Sequence, residues 1–179
     1  SLNYQLIEVP CMSALERANL IHNRIKQQEI IPTIRTQPAD ENCPVHFTSC
    51  LIQSRNGKLI FQQRGADWNS HPGYLSAFGG KVDSGETAIQ TLIRELHEEL
   101  NVTVTEHDLI PINTLTEAVS NHRERIATFY WDAKDTDITC CNEGELIEFD
   151  DINHVLAHPK IIDDVYWLLQ WYENTVLHN

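Results

Sequence analysis

Positive charge is scarce in this 179-residue sequence, which has 13 Lys and Arg against 26 Asp and Glu and a formal net charge of −13 at pH 7. Proteins that bind the backbone of a nucleic acid cluster Lys and Arg on the surface that contacts it. The composition therefore argues against a nucleic-acid partner. A small anionic ligand would need another source of positive charge.

Long apolar runs are also missing, although 41% of the residues are hydrophobic. No run reaches the roughly 20 residues that a membrane-spanning helix needs, and the first residues lack the pattern of a signal peptide, so we expect no membrane partner. The five cysteines are odd in number and include no C-x-x-C pair. Free thiols in a reducing cytoplasm are the simplest expectation.

The periodic pattern predicts two parts, an N-terminal helical extension with its connector over residues 1–44 and a main domain over residues 45–179. In the extension, Ser13 can cap a helix that runs to about Glu29, and an irregular connector follows over 33–44. Three roles are open to the extension: packing on the main domain, covering the ligand site, or pairing with a second subunit in a homodimer. The first of these is the commonest.

Strands and helices alternate in the main domain, which predicts an α/β fold with one sizeable core. The Asn-Gly pair at 56–57 is the strongest short signal for a hairpin. Strands are predicted over 45–53, 58–64, 109–118, 125–131 and 146–149, and helices after 85, from 151 and over 161–174. These elements favour helices packed on both faces of a mixed sheet.

The helix that begins after Gly85 has the strongest periodicity in the chain. Its apolar stripe predicts one buried face and consists of Ile89, Leu92, Ile93, Leu96 and Leu100. Asp83 or Ser84 is the expected N-cap, and Asp83 has the spacing of a capping box with Glu86. Asn101 can end the helix, because asparagine tolerates the left-handed backbone conformation.

Three glutamates, Glu95, Glu98 and Glu99, share the face beside this stripe. Carboxylates at this spacing repel one another, and a hard divalent cation turns the repulsion into binding. Oxygen ligands of this kind suit Mg²⁺ or Mn²⁺, and the preceding pair Gly79–Gly80 permits a phosphate to approach closely. The alternative is a solvated acidic face, the usual meaning of a charge run, but it leaves the glycine pair unexplained.

These residues resemble the signature of the Nudix hydrolases. That signature is a glycine, five residues, a glutamate, seven residues and then Arg-Glu-apolar-x-Glu-Glu-x-Gly-apolar. The chain matches it at Gly80, Glu86, Arg94, Glu95, Leu96, Glu98, Glu99 and Val102. Asn101 replaces the last glycine, and asparagine is the next most permissive residue at a helix C-terminus. The resemblance covers residues 45 onward and implies a Nudix-type α/β/α sandwich.

The resemblance also implies roles for the matching residues. The implied ligands of a divalent metal, Mg²⁺ or Mn²⁺, are one carbonyl and three carboxylates, those of Gly79, Glu95, Glu98 and Glu99. Arg94 and Glu86 are supporting charges, and Arg94 orients Glu95. A water activated by the metal then attacks one phosphorus of a diphosphate while the other phosphate leaves. The proton acceptor is Glu98, Glu99 or an acid further along the chain.

The segment 140–146 offers two candidates for that further acid. Related enzymes often bring a glutamate to the metal from such a segment, and either Glu143 or Glu145 can complete the site. Glu143 is the first choice. A glutamate beside a glycine in a surface turn is nevertheless more often merely solvated.

Residues outside the signature bear on the ligand. Segments 75–82 and 163–167 resemble parts of enzymes that cleave oxidised purine nucleoside triphosphates, in which paired aspartates read the base. The expected substrate-binding residues are Arg64, Phe78, Gly80, Lys81, Asp163 and Asp164. For the two aspartates the competing explanation is structural, because acids in the first turn of a helix interact favourably with its dipole.

Three functions compete at this point. The leading one is an Mg²⁺-dependent pyrophosphohydrolase that cuts a small-molecule nucleotide, a nucleoside triphosphate or modified dNTP, to the monophosphate and pyrophosphate. The second is hydrolysis of a nucleotide-sugar or an ADP-ribose-type conjugate. The third is a non-catalytic module that senses a nucleotide. Loss of signature acids usually marks this third class, and all of them are present here.

Overall fold

Residues 35–36, 44–116 and 123–177 are described by the computed structural model. The helix predicted over 13–29 lies outside these ranges, as does most of the predicted connector. Within them, no helix combines the length and the apolar character needed to cross a membrane.

Seven strands of the described ranges form one mixed sheet in the order β1-β5-β6-β2-β3-β4, and β7 pairs with β3 as well. Their bounds are β1 Arg35–Thr36, β2 Phe47–Ser54, β3 Leu59–Gln63, β4 Leu75–Ser76, β5 Leu109–Thr116, β6 Arg125–Ala133 and β7 Glu145–Phe149. β2 and β6 run parallel, whereas β3 is antiparallel to β2, β4 and β7. The five longer strands confirm the prediction. The two-residue strands β1, which lies in the predicted connector, and β4 are absent from the prediction, because two residues are too few to show an alternating pattern.

Helices cover both faces of this sheet. Their bounds are α1 Ala88–Leu100, α2 Ile152–Leu156 and α3 Asp163–Thr175. Along β2, Cys50 and Ile52 belong to the core cluster that contains the apolar stripe of α1, whereas Leu51 belongs to the cluster that contains α2 and α3. Neighbouring strand residues point to opposite faces, so α1 covers one face and the other two helices cover the opposite face. The predicted α/β arrangement, with helices on both faces of a mixed sheet, is confirmed.

The hairpin between β2 and β3 forms where the Asn-Gly pair predicts it. Gly57 has a φ of 77°, which glycine adopts without a steric penalty. Its N–H donates to the Ser54 carbonyl at 2.9 Å, and the Ser54 N–H donates to the Lys58 carbonyl at 2.8 Å. The turn thereby fixes the register of β2 and β3.

Helix α1 buries the predicted stripe and ends as predicted. Leu92 and Leu96 have no exposed surface, and each contributes about 2 kcal/mol by burial. Asn101 follows the last turn with a φ of 53°, and its N–H donates to the His97 carbonyl. Asparagine therefore fills the helix-ending role that glycine has in the signature.

The beginning of α1 differs from the prediction. Thr87 is the N-cap, and it forms the capping box with Gln90: the Gln90 N–H donates to Thr87 Oγ1 at 3.3 Å, and the Thr87 N–H donates to Gln90 Oε1 at 3.0 Å. Asp83 instead closes a turn in which its carbonyl accepts from the Glu86 N–H. The Glu86 carboxylate is unavailable as a cap because Arg94 and Thr91 bind it.

Candidate active site

Arg94 organises the charges on the acidic face of α1. Its Nε and Nη2 donate to the Glu86 carboxylate at 3.1 Å each. Nη1 donates to Glu95 at 2.9 Å and to Glu98 at 3.1 Å. The hydrogen bonds from Arg94, followed by one from Thr91, lower the pKa of Glu86. One guanidinium therefore binds three of the predicted acids, in the charge-assisted geometry that arginine favours.

Glu99 is the buried acid of the cluster, with 5% of its surface exposed. Gln62 Nε2 donates to its Oε1 at 3.0 Å, and the Gly79 N–H donates to its Oε2 at 3.3 Å. Burial raises the pKa of Glu99 to about 7, although both hydrogen bonds act in the opposite direction. The charges of Glu95 and Glu143 also raise this pKa. Glu99 therefore loses its proton only near pH 7, and positive charge beside it would favour the carboxylate.

The glycine pair brings backbone directly against these acids. Gly79 has a φ of 138°, and a Cβ there would collide with the Thr48 carbonyl oxygen. A Cβ on Gly80 would collide with the Glu95 carboxylate. Thr48 fixes the loop to β2, since its N–H donates to the Gly80 carbonyl at 2.8 Å. At Gly79 only glycine allows the loop to lie against β2, whereas at Gly80 an added Cβ would displace the end of the Glu95 side chain.

The segment 140–144 lies at the C-terminal end of α1 and carries Glu143 to the acid cluster. Asn142 anchors it: its N–H donates to the Glu99 carbonyl at 2.7 Å, and its Nδ2 donates to the Glu98 carbonyl at 2.6 Å. Burial raises the pKa of Glu95, and the negative charges of Glu98 and Glu143 contribute to that rise. Glu143 and Glu145 are both exposed, but it is the charge of Glu143 that acts on Glu95 and Glu99. The structure thus places Glu143, rather than Glu145, beside the predicted metal ligands.

The donor set fits a hard divalent cation. It offers the carboxylates of Glu95, Glu98 and Glu99 beside the backbone of Gly79, and oxygen donors of this kind suit Mg²⁺ and Mn²⁺. These acids are engaged in hydrogen bonds within the protein. Within the described ranges, no three His, Cys, Asp or Glu side chains form a group that could hold a metal ion. Arg94 engages two of the carboxylates, and the third faces Gln62 and Gly79.

Arg64 brings positive charge to the edge of the acid cluster. Its guanidinium carbon lies 4.3 Å from the centre of the Trp68 ring, a cation–π contact, and its Nε donates to the Ser70 carbonyl at 3.0 Å. Burial lowers the pKa of Arg64, whereas the charges of Glu99 and Glu143 raise it. Arg64 therefore acts electrostatically on the acids and is held in place by its own loop.

A cavity of about 210 Å³ is lined by this arginine and by Ser76 and Ala77, which precede the glycine pair in the chain. Its apolar lining includes Phe47, Ile126 and Ile162, and its polar lining includes Arg64, Ser49 and Asp164. Asp164 has 7% of its surface exposed, and its Oδ2 accepts from Ser49 Oγ at 2.5 Å. Its Oδ1 has no hydrogen-bond partner within the described ranges. Burial raises the pKa of this carboxyl.

Three of the expected substrate-binding side chains lie apart from this cavity. Phe78 has no exposed surface and packs in the core against α1, so its side chain is not available to a ligand. Lys81 lies on a separate cavity of about 570 Å³, beside the turn that precedes α1. Asp163 is half-buried and is absent from the lining of the smaller cavity. Of the paired aspartates, Asp164 alone lines that cavity.

Three residues of the site are absent from the sequence-based prediction. Gln62 lies two residues after Ile60, so the alternation of a strand places it on the same buried face, where an apolar residue is expected. A glutamine at such a position is a signal for a polar role. Ser49 likewise lies two residues from a buried apolar residue, Leu51, on the opposite face of the sheet. Asn142 carries no signal in the sequence, because its partners are distant in the chain: Glu98 is 44 residues away, and Glu99 is the next residue.

We expect Gly80→Ala to keep the fold and to weaken Mn²⁺ binding about tenfold or more, the size of effect seen when the groups that orient a metal ligand are disturbed. The added Cβ meets the flexible end of Glu95, so the carboxylate moves and the backbone stays. Titration followed by electron paramagnetic resonance measures the affinity. Gly57→Ala is the matched control: its φ of 77° strains the new alanine, but the hairpin lies outside the site. Wild-type affinity in Gly80→Ala would contradict the assignment of Glu95.

Comparison with known proteins agrees with this geometry. The family model of the NUDIX domain matches residues 46–169. The E. coli ORF135 protein has a similar structure, with 23% identity and a TM-score of 0.58 over 80% of this chain and 98% of that one. So does the MutT protein from Methanosarcina mazei Go1, with 18% identity and a TM-score of 0.53 over 75% and 98%.

A C. elegans Ap4A hydrolase shares the architecture too, with 17% identity and a TM-score of 0.55 over 74% of this chain and 99% of that one. At such identities these likenesses show the fold. A search of curated proteins gave no match. The match to the NUDIX domain spans β2 to β7, the glycine pair, the acidic helix and the first half of α3, and the chain belongs to the Nudix family.

Proposed function

We propose that the protein is a divalent-metal-dependent hydrolase that cuts a nucleoside triphosphate, or a modified one, to the monophosphate and pyrophosphate. The observation that carries this proposal is a cavity lined both by Arg64, on whose pKa the charges of Glu99 and Glu143 act, and by a buried aspartate with one unpaired oxygen. The acids account for a diphosphate bound through a metal. The cavity and Asp164 account for a base attached to it.

The acids of α1 hold the metal in this proposal, together with the Gly79 carbonyl and Glu143. Mg²⁺ or Mn²⁺, when bound, supplies the charge that activates a water and stabilises the developing phosphate charge. Arg94 and Glu86 keep Glu95 and Glu98 oriented. A base among Glu98, Glu99 and Glu143 takes the proton of the attacking water. Arg64, stacked on Trp68, compensates the charge of a phosphate.

Base recognition falls to Asp164. A buried oxygen without a hydrogen bond costs about 1–3 kcal/mol, and a base edge in the cavity removes that cost. Burial raises the pKa of Asp164, so its carboxyl can accept from a base amino group or, when protonated, donate to a base carbonyl. Oxidised purines change this pattern of donors and acceptors, and we include their triphosphates in the proposed substrate class.

We expect Asp164→Leu to lower kcat/KM for the preferred base about 10- to 100-fold and to reduce the difference between bases. The reason is the loss of a buried hydrogen bond to a charged or polar partner, which is worth about 1.5–3 kcal/mol. Steady-state kinetics across the four standard bases and two oxidised purines measure it. Asp163→Leu is the comparison, and we expect a smaller effect because Asp163 does not line the cavity. An unchanged order of preference in Asp164→Leu would contradict base reading by this residue.

A product-resolved assay tests the proposed function itself. Purified protein with Mg²⁺ is offered nucleoside triphosphates, nucleotide-sugars, ADP-ribose and dinucleoside polyphosphates, and ³¹P NMR identifies the products. Nucleoside monophosphate with free pyrophosphate supports the proposal. Two monophosphate-bearing products from ADP-ribose or a nucleotide-sugar, with triphosphates left intact, would instead support the conjugate hydrolase. Tight binding of one nucleotide without turnover would support the sensing module.

A further inference from the structure

Gln62 is a buried amide in the middle of the site, with 2% of its surface exposed. It lies in β3, two residues after Ile60, on the face that α1 covers. A glutamine at this depth loses its hydration, and it is stable there only when its amide groups are hydrogen-bonded. Its contacts show which parts of the protein provide those bonds.

The amide donates to two separate structural elements. Gln62 Nε2 lies 3.0 Å from Glu99 Oε1 on α1 and 3.0 Å from the Glu143 carbonyl in the segment 140–144. Both hydrogens of the NH₂ group are therefore used. Ser76 Oγ, in β4, donates to Gln62 Oε1 at 3.3 Å. Three elements of the fold thus meet at one side chain.

These partners leave only one orientation for the amide. A flipped amide would turn its oxygen toward the Glu99 carboxylate and the Glu143 carbonyl, which are both acceptors. The Ser76 hydroxyl is compatible with this orientation, since its single hydrogen can be donated to the amide oxygen at 3.3 Å or to the Gln62 backbone carbonyl at 3.4 Å. Gln62 is consequently a directional contact, unlike an apolar side chain that would only fill the same space.

The segment that carries Glu143 has further fixed points on both sides of this residue. Asn142 is bonded to the last turn of α1 through two hydrogen bonds. Gly144 has a φ of 70°, and a Cβ there would collide with the carbonyl of Gln63. Glu143 lies between these two anchors, and the Gln62 amide binds the carbonyl of Glu143 itself.

We propose that Gln62 is a positioning residue that holds Glu99 and the Glu143 segment in the relative arrangement needed to bind the metal. The inference rests on the metal site of the proposed function. It adds a residue from β3 to that site, and it explains how an acid from a loop and an acid from a helix are kept at one place. Gln62 acts through these acids and does not touch the substrate.

The test is Gln62→Met, which keeps the length and approximate volume of the side chain and removes both donated hydrogen bonds. We expect Mn²⁺ affinity, measured by electron paramagnetic resonance without any nucleotide, to fall about 10- to 100-fold, as for other groups that orient metal ligands. In the metal-free protein, hydrogen exchange of the peptide over 138–146 should become faster, because the Asn142 N–H loses the support of its segment.

Gln53→Met is the matched control. Gln53 also lies on a central strand and accepts a hydrogen bond of 2.6 Å from the Tyr130 hydroxyl, but it has no contact with the acids. We expect this variant to lose stability while keeping wild-type Mn²⁺ affinity and wild-type exchange over 138–146. A purely structural role for Gln62 predicts that the two variants behave alike.

The outcomes separate this inference from the proposed function. Wild-type Mn²⁺ affinity in a folded Gln62→Met variant overturns the inference, even if the enzyme hydrolyses nucleoside triphosphates. Weakened Mn²⁺ binding supports it, even if the preferred substrate proves to be a different diphosphate. If Gln62→Met does not fold, Gln62→Asn takes its place: its amide is one methylene too short to reach both partners, and unchanged Mn²⁺ affinity in that variant overturns the inference equally.

Discussion

Glu98→Gln is expected to remove most Mg²⁺-dependent hydrolysis and to leave the fold intact. Glu98 has 57% of its side chain exposed, and Arg94 Nη1 is its ion-pair partner at 3.1 Å. An exposed pair of this kind contributes about 0–1 kcal/mol to stability, so the substitution costs the fold little. A ligand charge at a catalytic metal is worth several kcal/mol, and we expect kcat/KM to fall about 1000-fold.

The measurement is kcat/KM at several Mg²⁺ concentrations, with thermal unfolding monitored in parallel. Glu148→Gln is the matched control, because Glu148 is an exposed glutamate that pairs with Lys58 at 3.4 Å and lies outside the site. It should retain the wild-type rate. A wild-type rate in Glu98→Gln at saturating Mg²⁺ would show that Glu98 is not a metal ligand.

Glu99→Gln is expected to abolish turnover as well, but to stabilise the metal-free protein above neutral pH. Burial raises the pKa of Glu99 to about 7 in the fold, against about 4.3 in an unfolded chain. The folded state therefore binds the extra proton, and stability is lost as pH rises from about 4.3 through about 7. Glutamine carries no charge to bury, so the variant escapes this loss.

The expected size follows from the two opposing effects. The difference between a pKa of about 7 in the fold and about 4.3 in the unfolded chain corresponds to about 3–4 kcal/mol at pH 8. Glutamine cannot accept from both Gln62 Nε2 and the Gly79 N–H, and the lost hydrogen bond costs about 1–2 kcal/mol. We therefore expect a net gain of about 1–3 kcal/mol at pH 8.

Urea unfolding of the EDTA-treated proteins at pH 5 and pH 8 measures this difference. The wild type should lose stability between the two pH values by more than the variant does. Added Mg²⁺ should stabilise the wild type at pH 8 and have little effect on the variant. Identical pH dependence in both proteins would contradict a buried, easily protonated Glu99.

The two glutamate variants together distinguish the two environments on one helix face. Both lose the metal-dependent reaction in our prediction. Only Glu99→Gln changes the pH dependence of stability, because Glu99 alone of this pair is buried. If the three acids formed only a solvated surface, neither the loss of the reaction nor the change in the pH dependence of stability would be expected.

The local features of the fold were predictable from the sequence. The stripe of α1, its left-handed end at Asn101 and the hairpin at Gly57 depend on residues within a few positions of one another, so periodicity and turn chemistry reveal them. The N-cap was not predictable in the same way. Asp83 and Thr87 both suit a cap, and Thr87 takes the position because Arg94, eight residues along the chain from Glu86, occupies the Glu86 carboxylate.

The sequence by itself determined the family's signature, its three helix acids and the kind of metal they suit, since these follow from residue type and spacing on one helix. Tertiary structure alone decided which further residues join them. Asp164 meets Ser49 across 115 positions, and Gln62 meets Glu143 across 81. The same holds for Phe78, which lies in the core, and for Glu143, which lies nearer to the acid cluster than Glu145. Strand pairing and burial set these positions, and both depend on residues far apart in the chain.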